Sequence, residues 1–264
     1  MRGGQRKNWV SIRICVRLKP VGSFIGVNHC QKFIVLSDYS MDQVDQYHHL
    51  KERCIKIPGG IDIDHFSPAV SKNQAKEMLG LTEYPFLLFT VRSLRHRTGL
   101  FELLDTIMIL KPYIPGIHLV IAGVGPLKQD IENKIVTGNL QSSVSLIGRV
   151  PDEKLPLYYK AADLFVLPTQ KLEGFGLITV ESLACGTPVV ATPVGANVEL
   201  LRALDERLLT PGSGASDMAD TILKFYREPN KLIDSKACSE FAQQFSWEHI
   251  ADKVENCYKE LVKK

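Results

Sequence analysis

The sequence lacks the long hydrophobic runs and the paired cysteines that are typical of membrane-spanning and metal-binding proteins. No apolar stretch in its 264 residues approaches the roughly 18 residues of a transmembrane helix, and the N-terminus has no hydrophobic segment followed by a small-residue cleavage site. The six cysteines are scattered without a C-x-x-C pair, so we interpret them as reduced, mostly buried thiols. These absences predict a cytoplasmic protein without a bound metal.

Two catalytic signatures are also missing. The sequence contains no G-x-S-x-G elbow and no G-K-[ST] phosphate loop, which argues against a serine hydrolase and a P-loop nucleotidase. His96, His118 and the pair His48-His49 show no spacing for a metal or a triad. We interpret these histidines as structural or surface residues.

Acidic residues are absent from the first 37 positions, which carry seven Lys and Arg. We interpret this basic end as a solvated tail, with attraction to anionic lipid at the inner face of a membrane as the alternative. We expect no nucleic-acid partner.

The rest of the chain alternates short apolar runs of strand length with amphipathic stretches of helix length. Nearly continuous apolar strands alternating with helices predict an α/β fold, a doubly wound parallel sheet covered on both faces, over about residues 58–230. The predicted strands are 86–91, 117–123, 144–148, 163–168, 188–192 and 207–210, and the predicted helices are 99–112, 126–138, 152–161, 175–185 and 196–204.

Such sheets bind ligands at the carboxyl ends of their strands, beside the topological switch point. Arg92, Arg95, His96 and Arg97 follow the first predicted strand, and Gly123-Val124-Gly125-Pro126 follows the second. Each group has a plain alternative, because the first suits a solvated loop and the second suits a tight turn feeding a helix.

Two carboxylates stand in the stretch KLEGFGLITVESLACGTPVVATPVG, residues 171–195. Glu173 lies among loop-forming residues, whereas Glu181 lies on the same helical face as the apolar Leu177 and Val180. A helix packed on a sheet would carry Glu181 inward, and a buried charge needs a partner.

A nucleotide-diphosphate sugar would require this combination of arginines after one strand, glycines at a helix start and two flanking carboxylates. Guanidinium groups and the free N–H groups of Phe175, Gly176 and Leu177 would hold the diphosphate. The carboxylates would accept hydrogen bonds from ribose and sugar hydroxyls.

The sequence resembles the C-terminal domain of glycosyltransferase family 4 (group 1), retaining enzymes of the GT-B fold. The matching segments run in order from residue 33 to residue 261. They are FIVLSDYS, IPGGIDIDHFSP, VRSLRHRTGL, LVIAGVGPL, VSLIGRVPDEKLPLYYKAADLFVLPT, the E-x7-E stretch and FSWEHIADKVENCYKEL.

The resemblance implies roles for particular residues. Glu173 would lie by the transferred sugar, and Glu181 would bind the ribose hydroxyls. Ser93 and Thr98 occupy the places of the family's usual arginine and lysine, so we assign the diphosphate to Arg92 and Arg97, one position earlier. The remaining expected donor contacts are the backbone of Gly174, Phe175, Gly176 and Leu177, the base pocket at Gly148, Arg149 and Val150, and the turn glycines Gly123 and Gly125.

The resemblance also implies a hexosyltransferase reaction with retention of configuration, assisted by the leaving phosphate and requiring no cofactor or metal. The donor is open among UDP-, GDP- and ADP-hexoses, and the acceptor is open among glycans, lipids and small molecules. A GT-B enzyme has two Rossmann-like domains, and the resemblance implies that this sequence carries only the end of the first. We therefore predict a remnant of that domain with a basic tail (1–55), a Rossmann-like donor domain (56–244), and a C-terminal helix packing back toward the first domain (245–264).

Three interpretations follow. The chain is a donor-binding half that works with a separate N-terminal domain, a truncated and inactive fragment that binds nucleotide, or a non-enzymatic interaction module.

Overall fold

The computed structural model describes residues 30–262, except for the side chains of Tyr47 and His48. The predicted basic tail therefore lies mostly outside the described residues. Two parallel sheets are present in the described part, one of five strands and one of two. The five strands are β3 (Phe86–Val91), β4 (Ile117–Ala122), β5 (Val144–Gly148), β6 (Leu164–Leu167) and β7 (Val189–Ala191).

The five-stranded sheet confirms the predicted doubly wound α/β fold. Its order is β5-β4-β3-β6-β7, and every neighbouring pair is parallel. Every residue of β4 and of β6 is buried, which requires cover on both faces of the sheet. The chain moves outward from β3 in one direction and then returns to place β6 on its other side, so the switch point lies between β3 and β6.

The helices begin and end close to the predicted positions. The α-helices of the described part are α1 (Asp38–His48), α2 (Lys72–Leu79), α3 (Leu100–Leu110), α4 (Lys128–Thr137), α5 (Leu155–Ala161), α6 (Leu177–Ala184), α7 (Asn197–Leu204), α8 (Ala215–Arg227), α9 (Ser235–Ala242) and α10 (Trp247–Val262). Among them, α3 packs on α4 and α8, whereas α2 packs on α5, α5 on α6, and α6 on α9.

The predicted strand at 207–210 was wrong. Residues Glu206–Leu208 form a 3-10 turn, because the side chain of Asp205 accepts hydrogen bonds from the backbone N–H and the guanidinium of Arg207. Only Leu209 continues the sheet, through a single parallel bridge to Ala191.

The smaller sheet pairs β1 (Phe33–Val35) with β2 (Cys54–Lys56), and α1 connects the two strands. A two-stranded sheet is marginal alone, and here α10 covers it. Ile250 and Cys257 of α10 pack in one cluster with Ile57 and the partly buried Ile34 and Ile55. Ile250 is only 5% exposed, so α10 is covered at this position.

Residues 30–262 were searched for membrane-spanning helices and metal sites, and they place two of the histidines. No helix of this part is both long and apolar enough to cross a membrane. No group of three or more His, Cys, Asp or Glu side chains in the same part could hold a metal ion. His118 is buried between Ser145 Oγ and the carbonyl of Ser142, as a structural residue would be, and His96 is exposed.

Candidate functional site

The candidate site lies at the carboxyl edge of the large sheet, at the switch point between β3 and β6. Arg92 follows β3 directly, and the loop of residues 168–176 follows β6. The two loops interlock, since the carbonyl of Arg97 accepts hydrogen bonds from the backbone N–H groups of Gln170 (2.9 Å) and Lys171 (3.3 Å). Residues that are about 80 positions apart in sequence therefore form one surface.

A buried ion pair joins Arg92 and Glu173 across these loops. Arg92 Nη1 donates to Glu173 Oε2 at 3.1 Å, and Arg92 Nη2 donates to Thr169 Oγ1 at 2.9 Å. Thr169 in turn donates to Glu173 at 3.2 Å, which closes a three-membered network. The two charged side chains are only 6% and 14% exposed. Burial lowers the pKa of the Arg92 guanidinium, and the charge of Glu173 opposes that shift.

The network does not involve Nε of Arg92. Its Nε atom is buried and has no hydrogen-bond partner within the protein. A buried cationic donor without a partner is costly, so this edge of the sheet is suited to accept an anionic group.

Arg97 is placed differently from Arg92. It is exposed, and its Nη1 donates to the carbonyl oxygen of Leu172 at 3.1 Å. Arg95 is exposed as well. The structure therefore puts Arg97 on the outer side of the same loop that carries Glu173, rather than in the buried network.

The start of α6 faces this region with its first-turn N–H groups uncapped by any side chain. Gly176 stands before the helix with φ 89°, a left-handed conformation that favours glycine. Phe175 is buried against Phe245, whereas Leu177 is 43% exposed. Positive partial charge at this terminus suits an anion, and the nearby Arg92 adds a full charge.

Glu181 lies in α6 and is held by a partner that the sequence did not indicate. Tyr159 of α5, which is fully buried, donates its hydroxyl to Glu181 Oε2 at 2.8 Å. Burial raises the pKa of Glu181, and the hydrogen bond from Tyr159 opposes that shift. The predicted inward direction of Glu181 is thus accompanied by the partner that a buried carboxylate requires.

A histidine also borders Glu181. His65 lies close enough to lower the pKa of Glu181, against the larger raising effect of burial. Its Nε2 atom is 3.1 Å from the carbonyl oxygen of Asp152, in the segment that follows β5. Gly148 at the end of β5 adopts φ 72° with open space beside it, and Arg149 is exposed and Val150 half-buried.

Gly123 and Gly125 hold neighbouring loops close together. A Cβ atom on Gly123 would lie 1.8 Å from the carbonyl oxygen of Arg92, and one on Gly125 would lie 2.5 Å from that of Leu94. The N–H of Gly123 also donates to the carbonyl of Gly148 at 2.6 Å. This geometry favours the tight-turn interpretation of the two glycines, and their direct contact with a donor stays a prediction.

Sequence reasoning missed three residues of this region: His65, Tyr159 and Thr169. Thr169 could have been found, because it is a polar residue directly after a strand of the switch point. Tyr159 gave no such signal, since its spacing with Pro156 and Ala161 is that of any apolar helix face.

Similar proteins identify the family to which the chain belongs. Residues 71–245 match the family model of glycosyl transferases group 1. D-inositol 3-phosphate glycosyltransferase of Mycolicibacterium smegmatis is 32% identical over 244 residues, which cover 89% of this chain and 54% of that protein. Lipopolysaccharide core biosynthesis mannosyltransferase LpsB of Rhizobium meliloti is 30% identical over 213 residues, covering 77% of this chain and 60% of that protein.

Solved structures share the fold. Sucrose-phosphate synthase from Thermosynechococcus elongatus superposes with a TM-score of 0.76 at 26% identity, covering 89% of this chain and 59% of that one. Anabaena HepE, in complex with UDP and glucose, gives a TM-score of 0.79 at 21% identity and covers 92% of this chain and 68% of that one. The chain spans 54–60% of the length of the two curated relatives named above. From the match over residues 71–245, the chain belongs to the family of glycosyl transferases group 1.

Proposed function

We propose that this chain is the donor-binding part of a retaining glycosyltransferase of family 4 and that it binds a uridine diphosphate sugar. The observation that carries the proposal is the buried Arg92–Glu173 pair beside the uncapped start of α6. A cation and a carboxylate at this edge suit the two ends of one ligand, an anionic diphosphate and a hydroxyl-bearing sugar.

The diphosphate lies at the start of α6 in this proposal. The N–H groups of the first turn and the guanidinium of Arg92 donate to its oxygens, and Arg97 adds charge from the exposed side of the loop. As the bond between sugar and phosphate breaks, negative charge grows on the departing diphosphate. Donors that are already in place stabilise that charge without rearrangement, which is the usual source of most of the rate enhancement.

In this proposal the nucleoside lies on the side of α6 that carries Glu181. Glu181, held by Tyr159, accepts hydrogen bonds from the ribose hydroxyls, and the backbone at Gly148, Arg149 and Val150 borders the base. Uridine is proposed because similar folds carry this nucleotide, as in HepE with UDP-glucose and the pneumococcal O-GlcNAc transferase GtfA with UDP and GlcNAc.

Glu173 accepts hydrogen bonds from the transferred sugar. Retention follows in this proposal from attack of the acceptor hydroxyl on the face that the phosphate leaves, with the acceptor proton passing to a phosphate oxygen. The acceptor binds to an N-terminal domain that complements the donor domain of residues 56–244. No metal enters this scheme, and we place the reaction on the cytoplasmic side.

Calorimetric titration of the purified chain with UDP, GDP, ADP and their glucose or mannose conjugates tests the proposal. We expect saturable binding of UDP and UDP-glucose. Glu181→Gln should weaken both by about 5- to 150-fold, because a charged hydrogen-bond acceptor contributes about 1–3 kcal/mol. Glu77→Gln, at an exposed position on α2, is the matched control. A folded chain that binds none of these ligands, or a Glu181→Gln variant with unchanged affinity, would contradict the proposal.

A further inference from the structure

The segment of residues 33–56, here called the N-terminal unit, contacts the loop that carries Glu173. Ser37 Oγ lies 2.6 Å from the carbonyl oxygen of Gly174, and Ser40 Oγ lies 3.0 Å from the same atom. The two hydroxyl oxygens also lie 2.9 Å apart, and when both protons point to Gly174 they fill the two acceptor positions of its carbonyl oxygen. Ser37 is 1% exposed, which makes this contact part of a buried junction between the unit and the loop.

A second element holds the residue before Gly174. The carbonyl of Glu173 accepts a hydrogen bond from the N–H of Ala196 at 2.9 Å. Two successive carbonyl groups of the loop are therefore bound from different parts of the fold. Because Glu173 also binds Arg92 through its side chain, the loop is restrained at three points.

The N-terminal unit is further joined to α7, which begins directly after Ala196. Glu199 of α7 accepts hydrogen bonds from the backbone N–H of Asp38 at 2.9 and 3.1 Å. Lys56 bridges Asp38 at 2.6 Å and Glu199 at 3.3 Å. The unit, the start of α7 and the donor loop thus form one connected set of polar contacts.

We propose that Ser37 and Ser40 are positioning residues for the donor loop, which makes donor binding dependent on the placement of the N-terminal unit. In a trans peptide the C=O and the following N–H share one plane and point in opposite directions. Fixing the carbonyl of Gly174 therefore fixes the direction of the N–H of Phe175, one of the groups assigned to the donor. This inference rests on the proposed function.

The rival explanation is that Ser37 only stabilises α1. Its Oγ accepts a hydrogen bond from the N–H of Ser40 at 3.0 Å, as the N-terminal cap of that helix. Ser37→Asp separates the two roles, because aspartate caps a helix as well as serine does but its carboxylate cannot donate to a carbonyl. Ser37→Thr keeps both roles and is the matched control. Ser40→Ala removes the second hydroxyl donor and leaves the capping N–H in place.

The test combines hydrogen exchange with calorimetry on the full chain. In Ser37→Asp we expect amide exchange in residues 172–178 to rise about tenfold or more with the exchange of α1 unchanged, and the melting temperature to fall, because the new carboxylate is buried against the carbonyl oxygen of Gly174. Ser40→Ala introduces no charge and should leave the melting temperature nearly unchanged. Affinity for UDP-glucose should fall about two- to tenfold, as for the loss of one neutral hydrogen bond, and more than affinity for UDP. Ser40→Ala should show the same pattern to a smaller extent, and Ser37→Thr should match the wild type.

The outcomes separate this inference from the proposed function. Exchange in residues 172–178 that is the same in Ser37→Asp, Ser40→Ala and the wild type would overturn the inference, whatever the nucleotide data. Increased exchange in α1 of Ser37→Asp, without increased exchange in residues 172–178, would assign Ser37 to capping alone and would overturn it as well. If no nucleotide binds the wild type, the proposed function fails, while the exchange data still decide whether the hydroxyls position the loop.

Discussion

Replacing Tyr159 by phenylalanine should destabilise the protein by an amount that depends on pH. The ring of Tyr159 is fully buried and packs against Phe89 and Phe165, and phenylalanine preserves those contacts. The change removes only the hydroxyl that donates to Glu181 at 2.8 Å. A hydrogen bond to a charged group contributes about 1.5–3 kcal/mol to the free energy of unfolding, so we expect that loss at pH 7. The melting temperature should fall by about 3–12 °C.

The dependence on pH follows from the ionisation of Glu181. Burial raises its pKa in the folded protein, and the hydrogen bond from Tyr159 limits that rise. A carboxyl group with a raised pKa binds its proton more tightly when folded, so its effect on stability becomes less favourable as pH rises. Tyr159→Phe raises the pKa further. The difference in free energy of unfolding between the wild type and the variant should therefore be largest at neutral pH. It should decrease as the pH falls toward the pKa of unfolded glutamate, about 4.3.

Urea unfolding of the wild type, Tyr159→Phe, Glu181→Gln and the double variant, at pH 7 and at pH 4.5, measures this effect. Tyr158→Phe is the matched control, since the ring of Tyr158 also stacks on Phe89. We expect an interaction free energy between the two sites at pH 7 that decreases in acid. A deficit of Tyr159→Phe that is equal at both pH values, or an interaction free energy near zero, would refute the reasoning.

Three further predictions concern the packing and charge of the carboxyl edge of the sheet and the reactivity of a buried thiol in α9. Gly123→Ala should lower the free energy of unfolding by more than about 2 kcal/mol, because its Cβ would lie 1.8 Å from the carbonyl oxygen of Arg92. Gly148→Ala has open space around the new Cβ and should cost only the roughly 1–2 kcal/mol of a left-handed residue. The urea unfolding midpoints of the two variants measure the difference. Arg92→Met should cost about 3–5 kcal/mol by leaving Glu173 buried and unpaired, and adding Glu173→Gln should recover part of that loss in the same assay. Burial raises the pKa of Cys238 to about 12, so its thiol should react with a disulfide reagent at pH 8 only after unfolding. Fast labelling of Cys238 itself in the native protein would contradict this.

Much of the fold could be predicted from the sequence because the strands of a parallel sheet are buried on both faces. Runs such as residues 117–123 are apolar at almost every position, and this pattern is hard to mistake once helical segments separate the runs. The failure at 207–210 has a local cause. The side chain of Asp205 closes a turn there with Arg207, and an apolar run as short as RLLT does not reveal such a contact.

The candidate site could be predicted only in part. Glu173, Glu181 and Arg92 stand at positions that follow from strand ends and helix spacing, and the structure brings Arg92 and Glu173 into contact. The contact between Ser37 and the loop could not be predicted. The Ser37 hydroxyl reaches the carbonyl oxygen of Gly174, 137 positions away in sequence, through tertiary packing alone. Tyr159 likewise acts through one hydroxyl on a ring that is otherwise ordinary core.

A crystal structure of this chain grown with UDP-glucose tests the central claim most directly. The account predicts diphosphate oxygens within about 3 Å of the N–H groups at the start of α6 and of the Arg92 guanidinium, with the ribose hydroxyls on Glu181 and the glucose beside Glu173. A nucleotide bound elsewhere on the chain, or a site at this edge without nucleotide at saturating concentration, would contradict it.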